Sequence, residues 1–291
     1  MNISSAIEIQ TRDRLVLDLR PLGIPEVPMF GRYNYSHAHG GLPEHAHRRT
    51  MEICFLAKGR QLYRMERGRD YVLRGGDVFV TFPDEHHSTG EAPQEKGLLY
   101  WLHLTLPRPP SPFLNCSPAD SRKLVAQLLA IRHRQFAGES HFQTLLDEIM
   151  QTAITVRNPL RRVAISSKLI EFLLQVIECS RRNPKRALSS TIDNLLRSIE
   201  SRIEESLTIR DLAAHAGLSV SRFKTRFKQE IGIPPAEYVQ RCKMAAAKSL
   251  LAGRKLTITD IAYRLGFSSS QYFATVFKRY TGQSPRAWRR L

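Results

Sequence analysis

One pattern occurs twice in the last hundred residues of the chain, and this repeat constrains the fold more than any other feature. The first copy, in residues 207–228, contains Leu-Thr-Ile-Arg-Asp, then Ala-Gly-Leu-Ser, then Phe-Lys-Thr-Arg-Phe-Lys. The second copy, in residues 256–278, contains Leu-Thr-Ile-Thr-Asp, then Leu-Gly-Phe-Ser, then Phe-Ala-Thr-Val-Phe-Lys. A repeat of this length indicates that one unit of secondary structure has been duplicated.

Each copy predicts a helix-turn-helix. A short apolar stretch runs into a glycine, which accepts the positive φ that a sharp turn between helices requires. An apolar residue follows to fill the angle, and then a serine suited to cap the second helix. Two phenylalanines four positions apart give that helix one buried stripe. The residues in these roles are Gly217, Leu218, Ser219, Phe223 and Phe227 in the first copy and Gly266, Phe267, Ser268, Phe273 and Phe277 in the second.

The charge of the repeat region points to nucleic acid. The chain carries a net charge of +17, and residues 191–291 hold 18 Lys and Arg against 8 Asp and Glu. Basic charge concentrated on helix-turn-helix units is typical of DNA binding. A plain helical hairpin would explain one copy, and a merely soluble basic surface would explain the charge. Neither explains two matched copies within a basic segment.

The second copy, from Asp260 to Arg289, resembles the AraC/XylS type of transcriptional regulator almost throughout. It departs from that pattern at Trp288, where tyrosine is more usual. The resemblance covers about residues 190–291. It implies two helix-turn-helix units joined by one long helix, here expected from Pro235 to Leu251, and it implies RNA polymerase as a partner.

The second helix of each unit is expected to enter the major groove of double-stranded DNA. The positions outside the phenylalanine stripe that are expected to contact bases are Val220, Ser221, Lys224, Thr225, Ser269, Ser270, Gln271 and Thr275. Those expected to contact phosphate are Ser219, Arg222, Arg226, Lys228, Ser268, Lys278 and Arg279. Because the second set of base contacts is mostly hydroxylic, the first helix is predicted to carry more of the base specificity.

Residues from about 30 to 106 predict an antiparallel barrel or jelly roll. Aromatic and β-branched runs at 52–59, 61–65, 71–73, 78–82 and 98–106 are separated by turn residues and show no helical period. The segment 66–70 is a candidate hairpin loop.

Polar residues within these strands resemble the two cupin motifs. His45, His47 and Glu52 occur in the order of the first motif, and His87 takes the place of the second motif's histidine. Strand alternation would turn His45 and His47 to one face. Three interpretations remain open: a divalent metal such as Zn, Fe, Mn or Ni held by the four side chains, a pocket that hydrogen-bonds a small polar effector without metal, and polar residues satisfied within the barrel. The resemblance to AraC-type regulators favours the second interpretation, with a sugar or another metabolite as effector and no cofactor required.

Residues 107–112 are rich in proline and end the sheet. Ser117, Pro118 and Asp120 start a helix, with serine as the cap. Apolar stripes follow, the first through Leu124, Leu128, Leu129 and Ile131, and their number indicates a dimerisation face in addition to packing on the barrel. The predicted architecture is α+β with two domains. Along the chain we expect four parts: a cupin-like barrel (1–110), a helical dimerisation segment (111–182), a basic linker (183–190) and an all-α domain with two helix-turn-helix units (191–291).

The sequence therefore predicts a ligand-responsive transcriptional regulator, an activator that acts as a homodimer. The four cysteines are far apart and indicate no disulfide framework. No signal peptide or membrane-spanning run is evident, so a cytoplasmic protein is expected. The alternative function is a metal-dependent cupin enzyme fused to a DNA-binding domain. That alternative would require an acid or base beside an open metal site, and no such feature stands out.

Overall fold

The computed structural model describes residues 6–90, 92–107, 112–155, 159–182, 188–205 and 207–290 of the 291-residue chain. Its internal contacts divide the chain into two units. Unit 1 comprises Met1–Tyr35, Pro43–Gly90 and Gly97–Arg186, and unit 2 comprises Ser36–Leu42, Glu91–Lys96 and Ala187–Leu291. Most of the proline-rich 107–112 segment and of the 183–190 linker lies outside the described residues. No helix in the described ranges is long and apolar enough to span a lipid bilayer.

Within the described residues, unit 1 contains nine strands, and all of them pair antiparallel. Their bounds are Ile7–Gln10 (β1), Arg14–Leu17 (β2), Met29–Tyr35 (β3), Thr50–Met65 (β4), Asp70–Arg74 (β5), Asp77–Thr81 (β6), His87–Ser88 (β7), Gly97–Thr105 (β8) and Gln135–Ala137 (β9). The main path of neighbours is β1-β2-β3-β8-β4-β6-β9, while β5 and β7 pair with β4 off this path. The antiparallel sheet domain predicted for this region is confirmed.

The long strand β4 belongs to both parts of the sheet. Its first half pairs with β8 and β6, and its second half pairs with β5 and β7. The sequence predicted two strands here, broken near Gly59, and that prediction was wrong. Gly59 accepts φ +111°, so the strand passes through the irregularity near Lys58 and continues to Met65.

Helices cover one face of the sheet. They are Pro118–Leu129 (α1), Phe142–Thr155 (α2) and Arg161–Arg182 (α3). Ser117 caps α1 by accepting a hydrogen bond from the backbone of Asp120, as predicted. Leu145, Leu169 and Phe172 are fully enclosed with the sheet residues in one core. Leu129 was predicted to join the buried stripe and is exposed instead, because Leu124 and Leu128 set the buried face and Leu129 lies about 100° around the helix from Leu128.

Unit 2 contains seven helices within its described residues. They are Ser190–Ser201 (α4), Ile209–His215 (α5), Val220–Ile231 (α6), Pro235–Ala252 (α7), Ile258–Arg264 (α8), Ser270–Thr281 (α9) and Pro285–Trp288 (α10). The long helix α7 joins the two repeats, and its bounds differ by one residue from the predicted helix, Pro235 to Leu251. Val239 of α7 joins the core of the first repeat, and Met244 and Leu251 join the core of the second.

The two repeats fold alike, for the reasons that their sequences suggested. Gly217 and Gly266 adopt φ +65° and +71° at the turns. All four phenylalanines of the two stripes are completely buried. Thr208 and Thr257 each form a reciprocal capping box with the aspartate three residues later, which satisfies backbone groups at the start of α5 and α8.

Candidate functional site: two exposed helices and a histidine cluster

The helix α6 presents a polar face outside its buried phenylalanines. Val220, Ser221, Lys224 and Thr225 are all exposed. The Ser219 side chain accepts a hydrogen bond from the backbone of Arg222 and so caps the helix. The first turn of α6 is therefore held rigidly with its polar side chains free to meet a ligand. This geometry suits insertion into a major groove, where the first turns of a recognition helix contact base edges.

The helix α9 starts one residue later than the sequence predicted. Ser268 was expected to cap it, but Ser269 accepts the hydrogen bond from the backbone of Tyr272 and Ser268 lies before the helix. Ser269 is thus the counterpart of Ser219. Ser270, Gln271 and Thr275 lie on the helix, with Gln271 and Thr275 exposed and Ser270 half-buried.

Tyr272 is the exposed residue on α9 that the sequence analysis missed. Its side chain is 53% exposed, and the corrected register makes it the counterpart of Arg222. The sequence does show that matching residues of the two copies lie one position further apart after Ser268 than before it. Two neighbouring serines can each serve as a cap, however, so the offset alone did not show which side of Ser268 held the extra residue.

Both helices carry cationic side chains. Lys228, Lys278, Arg222 and Arg279 are exposed, as a phosphate contact requires. Arg226 is half-buried, and its Nε donates to Glu230 Oε1 at 2.9 Å. Glu230 also accepts hydrogen bonds from Ser189 at the start of α4. Arg226 therefore has a structural partner already, which makes it the weakest of the predicted phosphate contacts.

Unit 1 contains a cluster of five side chains, His45, His47, Glu52, His87 and His103, called the histidine cluster below. The four residues predicted from the sequence do converge. Strand alternation, the reason given for their convergence, was wrong, however, because His45 and His47 lie outside strands β1–β9. A bridge between the backbones of His45 and His87 holds the loop in place, with N–O distances of 3.0 and 2.9 Å.

Glu52 lies at the centre of the histidine cluster. Its Oε2 is 2.9 Å from His87 Nε2 and 3.9 Å from His47 Nε2, while its Oε1 is 3.4 Å from His103 Nε2. Glu52, His87 and His103 are buried, and His45 and His47 are half-buried. Two groups of potential ligand atoms lie within 4.8 Å of one another, His45-His47-His87 and His47-Glu52-His103. His47 belongs to both.

Burial and neighbouring side chains shift the pKa values of Glu52 and His47. Burial alone would raise the pKa of the Glu52 carboxyl, but His103 and His87 outweigh that effect and hold the pKa well below its usual value. Burial, helped by the neighbouring His103, lowers the pKa of His47 to about 4. Glu52 is therefore an anion and His47 a neutral imidazole near pH 7, which are the ionisation states in which both can bind a cation.

His103 is the member of the histidine cluster that the sequence analysis missed. It lies on β8 opposite Glu52 of β4. A single histidine in the apolar run 98–106 forms no motif with its neighbours, and only the pairing of the two strands brings it to Glu52.

Comparison with known families identifies both units. Residues 26–173 match the family described as "AraC-like ligand binding domain", and residues 212–291 match "Helix-turn-helix domain". The C-terminal domain of AraT, a response regulator from Geobacillus stearothermophilus, is a similar solved structure. It is 30% identical, with 36% of this chain and 88% of that chain covered and a TM-score of 0.34.

Two curated relatives are similar over most of their length. The arabinose operon regulatory protein of Escherichia coli strain K12 is 26% identical over 223 residues, which cover 76% of this chain and 74% of that protein. The transcriptional activator RhaS of Escherichia coli O139:H28 is 28% identical over 264 residues, which cover 84% of this chain and 86% of that protein.

Proposed function

Because this chain belongs to the AraC-like family of ligand-responsive, DNA-binding transcriptional regulators, we propose that it activates genes for the uptake or breakdown of a small metabolite. The observation that carries the proposal is the pair of helices α6 and α9, each capped, each anchored by two buried phenylalanines and each with a polar face exposed. Members of this family are regulators, so the chain is not the cupin enzyme that the sequence left as an alternative.

Activation is supported by the relatives. RhaS is named a transcriptional activator, and RNA polymerase is the proposed partner of this chain in activation. The proposed base-contacting positions are the predicted set with Tyr272 added, and all of them are exposed except Ser269 and Ser270, which are half-buried. The cations around these helices supply the attraction to phosphate, which is independent of DNA sequence.

The histidine cluster of unit 1 is the proposed effector site. One relative is named for the arabinose operon, which supports a sugar or similar polyhydroxy compound, since imidazoles and a carboxylate can hydrogen-bond hydroxyl groups. The density of nitrogen donors around Glu52 favours a second candidate, a metal ion.

A second copy of the chain is the proposed partner of unit 1. A groove between α1 and α3 is lined by Leu124, Ile170, Leu174 and Ile177, and the Leu174 side chain on its rim is 54% exposed. A homodimer would cover this apolar surface. Sedimentation of the full chain measures the mass directly.

The test of the proposed function is selection of binding sites from random double-stranded DNA by the full chain. We expect one enriched sequence. Lys224→Ala should weaken binding to that sequence by about 1–3 kcal/mol if Lys224 contacts a base, and should leave binding to unrelated DNA nearly unchanged.

The matched control is Lys58→Ala, which removes an exposed lysine from β4 in unit 1 and should change neither affinity. Equal losses on all sequences would make Lys224 a phosphate contact. Absence of any enriched sequence would refute the proposed function.

A further inference from the structure

The helix α6 carries an acid where DNA binding favours cations. Among the residues of α6 and α9, all of which are described, Glu230 is the one acidic side chain. A carboxylate near a DNA backbone repels phosphate and opposes the general attraction that Lys and Arg supply. The charge of Glu230 therefore bears on how strongly α6 binds DNA of any sequence.

Glu230 neutralises a cation of its own helix. Arg226 Nε donates to Glu230 Oε1 at 2.9 Å, one helical turn away, and the side chains are 42% and 19% exposed. Oε2 accepts from the backbone N–H of Ser189 at 2.8 Å and from the Ser189 hydroxyl at 2.9 Å. Burial alone would raise the pKa of Glu230, but these hydrogen bonds outweigh it and hold the pKa below its usual value. A fixed anion thus lies beside Arg226 near pH 7.

The second repeat shows that the fold does not require this ion pair. Gly232 and Gly282 end α6 and α9 in the same left-handed conformation, which aligns the last turns of the two helices. The positions of α9 that match Arg226 and Glu230 hold Val276 and Tyr280. A helix-turn-helix of this kind therefore forms without the pair, which is a property of the first repeat alone.

The two repeats differ in overall charge in the same sense. Residues 191–230 hold 7 Lys and Arg against 6 Asp and Glu, whereas residues 231–291 hold 11 against 2. The attraction of a protein to DNA of any sequence grows with the number of phosphates that its cations neutralise. The second repeat is therefore the stronger source of this attraction, and the first repeat is nearly neutral.

The ion pair lies beside proposed base contacts. One surface groove along α6 is lined by Ser221 and Thr225, which are proposed to contact bases, and also by Arg226 and Glu230. Phosphate contacts carry no sequence information, whereas base contacts do. Neutralising a cation at this place leaves the base contacts as the larger part of the affinity that α6 provides.

We propose that Glu230 is a specificity-determining residue of DNA binding, because it neutralises Arg226 and so limits the attraction of α6 to phosphate. The inference rests on the proposed function, since it concerns how one DNA site is discriminated from others. Specificity is the ratio of the affinities for selected and unrelated DNA. On the selected site base contacts hold α6 in one position, whereas on unrelated DNA α6 can shift toward phosphates. A released Arg226 therefore strengthens binding to unrelated DNA more.

The test is the affinity of the full chain for its selected site and for unrelated DNA, between about 50 and 200 mM KCl. Glu230→Gln removes the negative charge and keeps a side-chain oxygen that accepts from Ser189. We expect one additional phosphate contact on unrelated DNA, which steepens the slope of log affinity against log salt by about 0.9. The gain in affinity should be about threefold larger at the low salt concentration than at the high one, and the specificity ratio should fall.

Matched variants assign the effect to Arg226. The double variant Arg226→Gln/Glu230→Gln should return the slope to its wild-type value. Arg222→Gln, at an exposed arginine one turn earlier on α6, should lower the slope by about 0.9, and Arg226→Gln should lower it less. Glu205→Gln removes the same charge from a pair with Arg202 outside α6 and α9 and should leave slope and ratio unchanged. Circular dichroism and melting verify that the variants fold.

Three results would overturn the inference: Glu230→Gln with the slope and ratio of the wild type, Glu230→Gln with weaker binding to both DNAs, or a double variant that keeps the gain. If Glu230→Gln does not fold, equal losses of slope in Arg226→Gln and Arg222→Gln would overturn it instead. In each case, a wild-type protein that still prefers its selected site leaves the proposed function standing. Absence of that preference in the wild type would refute the proposed function itself.

Discussion

At the scale of single residues, the turn glycines allow a clean test of backbone conformation. Gly217 adopts φ +65°, and a Cβ added there would meet nothing within 4 Å. The cost of Gly217→Ala is therefore the left-handed conformation alone, about 1–2 kcal/mol. Calorimetry of the full chain should show the unfolding transition of unit 2 lowered by at least about 4 °C.

The control for this substitution is Gly253→Ala. Gly253 has an ordinary helical conformation with φ −67°, and its nearest contacts would be of normal van der Waals length. Alanine there should leave the transition unchanged or raise it slightly. Equal losses at both glycines would show that the positive φ is not the reason for Gly217.

The histidine cluster shows how far residue order can predict a site. The order of His45, His47, Glu52 and His87 was enough to predict their convergence, although the strand alternation given as its reason does not apply. His103 could not be predicted, because its proximity to Glu52 depends on the register of β8 against β4. Sequence patterns report neighbours along the chain, whereas register reports neighbours across the sheet.

Among the elements, helices with strong local signals were predictable, whereas the shortest strands and the continuity of the long strand β4 were not. The connector α7 and the cap of α1 were predicted closely. The strands β1, β2 and β9 have three or four residues each, and such short strands are stabilised by pairing more than by their own sequence. The predicted start of α9 was one residue too early, because Ser268 and Ser269 are adjacent and either serine could cap the helix.

The phenylalanine stripe tests the equivalence of the two repeats. Phe277 is fully buried and packs against Phe273 and Trp288, with ring centroids 5.7 and 6.0 Å apart. Phe277→Ala should cost about 3–5 kcal/mol by leaving a cavity, a large share of the stability of a small domain. Urea unfolding measures this directly.

Tyr263→Ala is the matched control for the stripe, because Tyr263 is an aromatic residue of the same repeat that is 60% exposed. Its loss should cost under about 0.5 kcal/mol. If Phe277→Ala were as mild as this control, the buried stripe would not hold the second repeat together.

At the scale of the whole molecule, chemistry and charge divide along the chain. Unit 1 contains a buried polar cluster in an aromatic-lined sheet, and unit 2 contains two similar helical modules that share α7. In a chain that binds DNA with one unit and an effector with the other, the effector changes DNA affinity through a coupling free energy between the two sites. A modest value of about 1–3 kcal/mol is enough. The predicted division into sensor and DNA-binding parts follows from composition and repeats, whereas the coupling between them leaves no sequence pattern.

Both α6 and α9 are expected to enter the major groove of one DNA site. The helix α7 has 18 residues, about 27 Å at 1.5 Å per residue, which suits two modules in successive grooves. Hydroxyl-radical footprinting of the full chain on its selected site tests this most directly. We expect two protected segments per protomer on one face of the duplex, about 10 bp apart. A single protected segment per protomer, or protection without preference for the selected site, would show that the two helices do not read one site together.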